Sequence, residues 1–183
     1  MTASNADPFA VLDFWWRAGP AKWFAKDEAF DAAIRDQFGD AVEAALVGEL
    51  DHWAKRPHGS MALLILIDQF PRNLFRDSAK AFAGDEKARD VADQALAKGF
   101  DKVFPVNVRR FFFLPFEHSE DIADQERAVD LFMASGDDEG LFWAYKHLDA
   151  IRRFGRFPHR NAVLGRESSA AEQAFLDKGG FSG

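Results

Sequence analysis

The segment Glu117-His118-Ser119-Glu120 brings two carboxylates and an imidazole together within four residues. Histidine carries a proton near neutral pH, and a neighbouring glutamate can orient it, so this grouping suits general acid–base chemistry. The catalytic candidates are His118 and Glu117, with His147 as a second imidazole. The same segment also has an architectural reading, in which Ser119 caps a helix and the acidic side chains complement its dipole.

A second set is basic. Arg72, Arg109, Arg152 and Arg156, with Arg110, Arg153 and Arg160 beside them, stand out in a chain of net charge −7. Guanidinium groups grip carboxylates and phosphates through paired hydrogen bonds, so a small anionic ligand is the economical functional reading. The candidate ligand-binding residues are Arg72, Arg109, His118, Gln125, His147, Arg152, Arg156 and His159. The alternative is internal pairing of these arginines with acids such as Asp68, Glu117 and Asp149, which would clamp loops onto a helical body. Gln125 falls on the apolar stripe of Ile122 and Val129, where a polar group needs a partner. For a metal, only Glu117, His118, His147 and His159 offer nitrogen and oxygen ligands. Their spacing matches neither the di-iron bundle pattern nor that of zinc proteases. No metal and no cofactor are expected.

Helices must position these groups. Asp7-Pro8 starts a helix that ends at Gly19-Pro20, with Phe9, Leu12 and Trp16 on one face and Val11 and Trp15 beside it. Asp27 opens a second, carrying Phe30, Ile34 and Phe38 and punctuated by Gly39-Asp40. A third bears Val42, Leu46, Leu50 and Trp53 and stops before Pro57. Met61 to Ile67 is apolar on every side and, lacking any partner strand, reads as a buried helix ended by Pro71. Asp85 caps a helix that exits at Gly99. A short aromatic helix through Phe111, Phe112 and Phe113 is expected to halt at Pro115. Ser119 and Asp137-Asp138 start the next two helices, and Gly155 ends the second. A polar stretch from Arg156 to Arg166 follows, then a last helix from Ser168 or Ser169. The expectation is an all-α single domain over residues 1–183, with an ordered core of about 7–178, built from stacked antiparallel helix pairs.

Composition agrees with such a core. Twenty phenylalanines and five tryptophans stand against one tyrosine, which favours aromatic rings without a hydroxyl to satisfy. The negative charge disfavours nucleic acid and anionic membranes as partners. The absence of cysteine excludes disulfides and thiol chemistry, and fits a cytoplasmic location. Residues Met1 to Asp7 show no secretory pattern, and Met61 to Ile67 is too short to span a bilayer. Phosphate-binding loops, nucleophile elbows and zinc knuckles are missing from the sequence.

Five stretches together resemble one bacterial family, domain of unknown function 924. They are Asp13-Phe14-Trp15, Asp68-Gln69-Phe70-Pro71-Arg72-Asn73, Ala81-Phe82-Ala83, Pro115-Phe116-Glu117-His118-Ser119-Glu120 and Gly155-Arg156-Phe157-Pro158-His159-Arg160-Asn161. The resemblance implies a tetratricopeptide-like helical fold and brings no assigned activity. Chemistry therefore leaves three readings. The first is a helical binding or scaffold module accepting an anionic small molecule or peptide carboxylate. The second is a hydrolase or transferase acting on a phosphorylated or carboxylated metabolite. The third is an interaction protein whose polar motifs are purely structural.

Overall fold

The structure, a computed structural model, describes residues 6–181. Residues 1–5, part of the stretch read above for a leader, lie outside the described residues. Among the described residues every regular element is helical, so the fold class is all-α. The chain divides into two compact units, residues 1–104 and 105–183.

The first unit contains α1 (Pro8–Ala18), α2 (Pro20–Trp23), α3 (Glu28–Leu46), α4 (Pro57–Leu64), α5 (Phe70–Leu74) and α6 (Asp85–Ala97). Asp7 and Asp27 cap α1 and α3 by accepting first-turn amides, as their sequence positions predict. The buried face of α1 is Val11, Leu12 and Trp15, which leaves Phe9 61% exposed; the expected face of Phe9, Leu12 and Trp16 is rotated. Trp15 stacks on Trp23 at 6.0 Å between ring centres, and the Trp23 indole N–H donates to the Trp15 carbonyl at 2.7 Å. Phe14, Phe30, Phe38 and Phe70 complete this aromatic core.

Two expected breaks in this unit do not occur where the sequence places them. Gly39 does not interrupt α3, because a mid-helix glycine costs only about 1 kcal/mol and the stripe of Phe30, Ile34, Phe38, Val42 and Ala45 is buried along its length. Trp53 falls outside that helix, in a separate 3-10 turn, Asp51–Lys55, with Leu50 at its cap position. Pro71 does not end the apolar helix either. A wide π turn, Ile65–Gln69, joins α4 to α5, with the Phe70 amide donating to the Ile65 carbonyl. Proline then stands in the first turn of α5, where its missing N–H is least costly. Gly84 lies against this turn, and a side chain there would meet the Ile67 carbonyl oxygen at 2.0 Å.

Polar side chains buried around the π turn are matched. Arg72 donates to the Asp68 carbonyl at 2.7 Å and pairs with the carboxylates of Asp68 and Asp85 at 3.1 and 3.0 Å. Asp31 accepts from Asn73 at 2.7 Å and from Arg76 at 2.6 Å. Asp85 itself lies within the first turn of α6, following Gly84 at the cap position.

The second unit contains α7 (Val106–Glu117), α8 (Ile122–Ser135), α9 (Asp138–Phe154) and α10 (Ala170–Asp177). Helix α8 packs against both α7 and α9. Arg110, buried on α7, forms a two-pronged pair with Asp137 at 3.0 and 2.7 Å, and Asp137 also caps α9 through the Gly140 amide. Helix α7 continues past Pro115 to Glu117, against the expectation that proline halts it. The Gln125 side-chain amide supports the end of the helix, donating to the carbonyls of Phe116, Glu117 and Ser119. These carbonyls belong to the helix end, where partners must come from outside the helical ladder. The cap of α8 is Asp121 and not Ser119; Ser119 instead accepts the Asp121 amide. No described helix in either unit is long and apolar enough to cross a membrane.

Candidate functional site

The second unit gathers three of the singled-out imidazoles and their carboxylate. Glu117 closes α7, fixed from below by Gln125. It is 2% exposed, and His147, on α9, is 8% exposed. One Glu117 oxygen lies 2.9 Å from His147 Nδ1, and the Trp143 carbonyl lies 2.9 Å from the same nitrogen. Both neighbours of Nδ1 are acceptors, so Nδ1 carries a proton. The other Glu117 oxygen and the Gln125 side-chain oxygen are buried without a hydrogen-bond partner among the described residues.

Around this pair stand aromatic rings. His118 is half-buried, its ring centre 6.3 Å from that of His147. Phe157 meets His147 edge-on at 5.6 Å and His159 at 5.6 Å. Phe181 lies 4.1 Å from His147 and 5.2 Å from His159. The Arg160 guanidinium sits over the Phe157 ring, 4.6 Å from its centre.

The segment between α9 and α10 is pinned by an ionic chain. Glu120 accepts from Arg166 at 2.6 and 2.9 Å and from the Phe157 amide at 2.8 Å. Burial pushes the Glu120 carboxyl up, and the Arg166 hydrogen bond together with the Phe157 amide more than offsets this, holding it below the usual range. Arg166 also donates to Asn161, whose amide reaches Glu172. Glu172 takes both prongs of Arg156 at 2.6 and 2.9 Å and closes a capping box with Ser169. Its carboxyl is held far below the usual range, first by Arg156 and then by the Ser169 amide. This chain places Phe157 against His147 and His159 against Phe157.

The arginines of the basic set are divided between the two units, and three of them pair with acids. Arg72 belongs to the first unit and is paired with Asp68 and Asp85 there; burial works against its charge, and the two aspartates more than compensate. Arg156 is engaged by Glu172. Arg152 forms a surface pair with Glu126 at 3.1 Å. Arg109 is half-buried near the start of α7, eight residues and about 12 Å of helix rise before Glu117. Among the described residues no group of three or more acidic or imidazole side chains is arranged to hold a metal ion.

The family profile of bacterial proteins of unknown function, DUF924, matches residues 11–180. The chain belongs to the DUF924 family. A solved structure of a protein of unknown function from Agrobacterium tumefaciens superposes with a TM-score of 0.90 at 47% identity, covering 93% of this chain and 97% of that one. No curated protein matches the sequence. Within this DUF924 chain, sequence reasoning singled out Glu117, His118, Gln125, His147 and His159, all of which fall in the second unit. It missed the parts played by Phe157, Arg166, Glu172 and Phe181. The first lies inside the motif Gly155-Arg156-Phe157-Pro158-His159-Arg160-Asn161; Phe181 lies beyond any periodic segment, where no sequence signal marks it.

Proposed function

We propose that the second unit carries an acid–base site in which His147 moves a proton on a small ligand seated beside His118 and His159. The carrying observation is the buried Glu117 carboxylate at 2.9 Å from His147 Nδ1. It fixes the tautomer, leaves Nε2 as the base and stabilises the imidazolium formed when that base accepts a proton. Hydrolysis or group transfer on a carboxylate or phosphate ester is the reaction class this supports.

The test uses p-nitrophenyl acetate and p-nitrophenyl phosphate as probes. Wild-type chain turns over one of them, and Glu117→Gln, which keeps the shape of the side chain and removes its charge, lowers kcat by about 10²–10⁴-fold while KM changes little. His147→Gln does the same with an unchanged circular dichroism spectrum. Absence of turnover of both esters from about pH 5 to 9, the span over which an imidazole changes charge, overturns the reading.

A second reading rests on the gathering of His118, His147, His159 and Arg160 in one unit. These groups can hold an anionic small molecule or peptide carboxylate without chemistry. Calorimetric binding of inorganic phosphate or acetate, lost in His118→Ala and His159→Ala with no ester turnover, selects this reading over the first.

A further inference from the structure

We infer that the space bounded by His147, Phe157 and His159 is a binding slot for an aryl group, which the chain's own Phe181 fills in cis. The inference deepens the acid–base reading, because an aryl group in this slot brings whatever it carries beside the His147 ring. Three rings box Phe181. Its centre is 4.1 Å from His147, 5.2 Å from His159 at an interplanar angle of 83°, and 5.9 Å from Phe157 at 61°. These tilted and edge-on arrangements are the ones in which aromatic rings attract one another. Behind them Ala150, Ile151 and Phe157 form a buried floor.

One feature distinguishes this slot from ordinary core. Beneath His147 lies Glu117, with one oxygen buried and unmatched among the described residues, an acceptor suited to a donor brought in by a ligand.

Phe181 is also attached as a removable group. The chain is fastened as far as Gly180, whose amide donates to the Phe175 carbonyl at 2.9 Å. Gly180 packs so closely on Phe175 that a side chain there would meet its carbonyl at 2.6 Å. Gly179, at φ +73°, gives the backbone its turn. Beyond that point Phe181 is held by its ring contacts and by packing on Ala150 and Ile151. Rotation about the Gly180–Phe181 link therefore opens the slot without disturbing α10. An occupant in cis lowers the apparent affinity for a competing aryl ligand by the fraction of time the slot is open.

The experiment titrates full-length chain with 3-phenylpropionate, using propionate as a control, and follows the histidine imidazole resonances by NMR. In Phe181→Ala, 3-phenylpropionate binds at least about tenfold more tightly than in wild type, shifting the resonances of His147 and His159, and propionate does not. Phe181→Leu, which keeps apolar volume and protects the fold, shows a smaller gain in the same direction. Affinity in both variants equal to or weaker than wild type, or shifts that avoid His147 and His159, overturns the slot. Because binding is read without turnover, its failure leaves the ester test intact, and failure of the ester test leaves this one intact.

Discussion

The side-chain amide of Gln125 lies 2.6 Å from the Glu117 carbonyl oxygen and 2.7 Å from that of Ser119, so one residue of α8 holds both sides of the segment that presents Glu117 and His118. A buried glutamine on an apolar stripe is thereby explained by the helix end it secures. Replacing it with leucine leaves those carbonyls buried without a donor. Gln125→Leu is expected to cost about 1–3 kcal/mol, read as a lower urea midpoint, and to lower turnover in the ester assay more than Gln125→Asn.

Two glycines carry opposite expectations. At Gly84 an added Cβ meets the Ile67 carbonyl oxygen at 2.0 Å, and at Gly39 it meets nothing within 4 Å. Gly84→Ala must move backbone and is expected to destabilise by about 1–3 kcal/mol. Gly39→Ala, in the middle of α3, is expected to stabilise by about 0.4–1 kcal/mol. Chemical denaturation of both variants beside wild type checks the pair, and a stabilising Gly84→Ala contradicts the close approach.

Acid sensitivity follows from Glu120 and Glu172. Both carboxyls are held below their ordinary value of 4.5 in the folded chain. A depressed carboxyl contributes stability that is complete above the unfolded value and disappears as pH falls through the folded one. Stability is therefore expected to decline as the solution is acidified below about 4.5. Glu172→Gln should be less stable at neutral pH and should show a shallower acid decline. Urea midpoints measured across that range test this; an identical slope in wild type and variant removes Glu172 from the account.

The arginines separate by environment. Arg152 and Glu126 are 59% and 56% exposed, so Arg152→Ala is expected to change stability by less than about 1 kcal/mol. Arg72→Ala removes the guanidinium that pairs with Asp85 and with Asp68, buried at 1% exposure, and is expected to cost about 3–5 kcal/mol. Thermal denaturation of the two variants distinguishes surface pairing from an internal clamp.

Much of the helical layout was legible because it is written in local chemistry. Asp7, Asp27, Asp137 and Ser169 cap their helices where their side chains predict, and Gly155 supplies the left-handed exit from α9. The misplaced breaks at Gly39, Pro71 and Pro115 share one cause: local propensity was outweighed by burial or by a distant donor, neither of which is visible along the chain. For the candidate site, residue type pointed to Glu117, His118, His147 and His159, since carboxylates and imidazoles removed from water demand partners. It could not decide the arginines, because pairing partners such as Glu172 and Arg156 lie sixteen residues apart and a guanidinium facing a ligand has the same sequence as one facing an internal acid. The aromatic surface of α9 was also hidden. Phe142, Trp143 and Tyr145 are substantially exposed, although their residue types suggest core.

The wide turn at Ile65–Gln69 acts as a change of phase along a single rod. It accommodates one residue more than an ordinary turn, and one residue corresponds to about 100° of rotation, so side chains after it emerge in a different direction from those an unbroken spiral would give. That rotation lets an all-apolar stretch be followed within six residues by Arg72, facing Asp68 and Asp85, and Asn73, facing Asp31. Removing a single amino acid here would keep the helix and misdirect everything downstream of it.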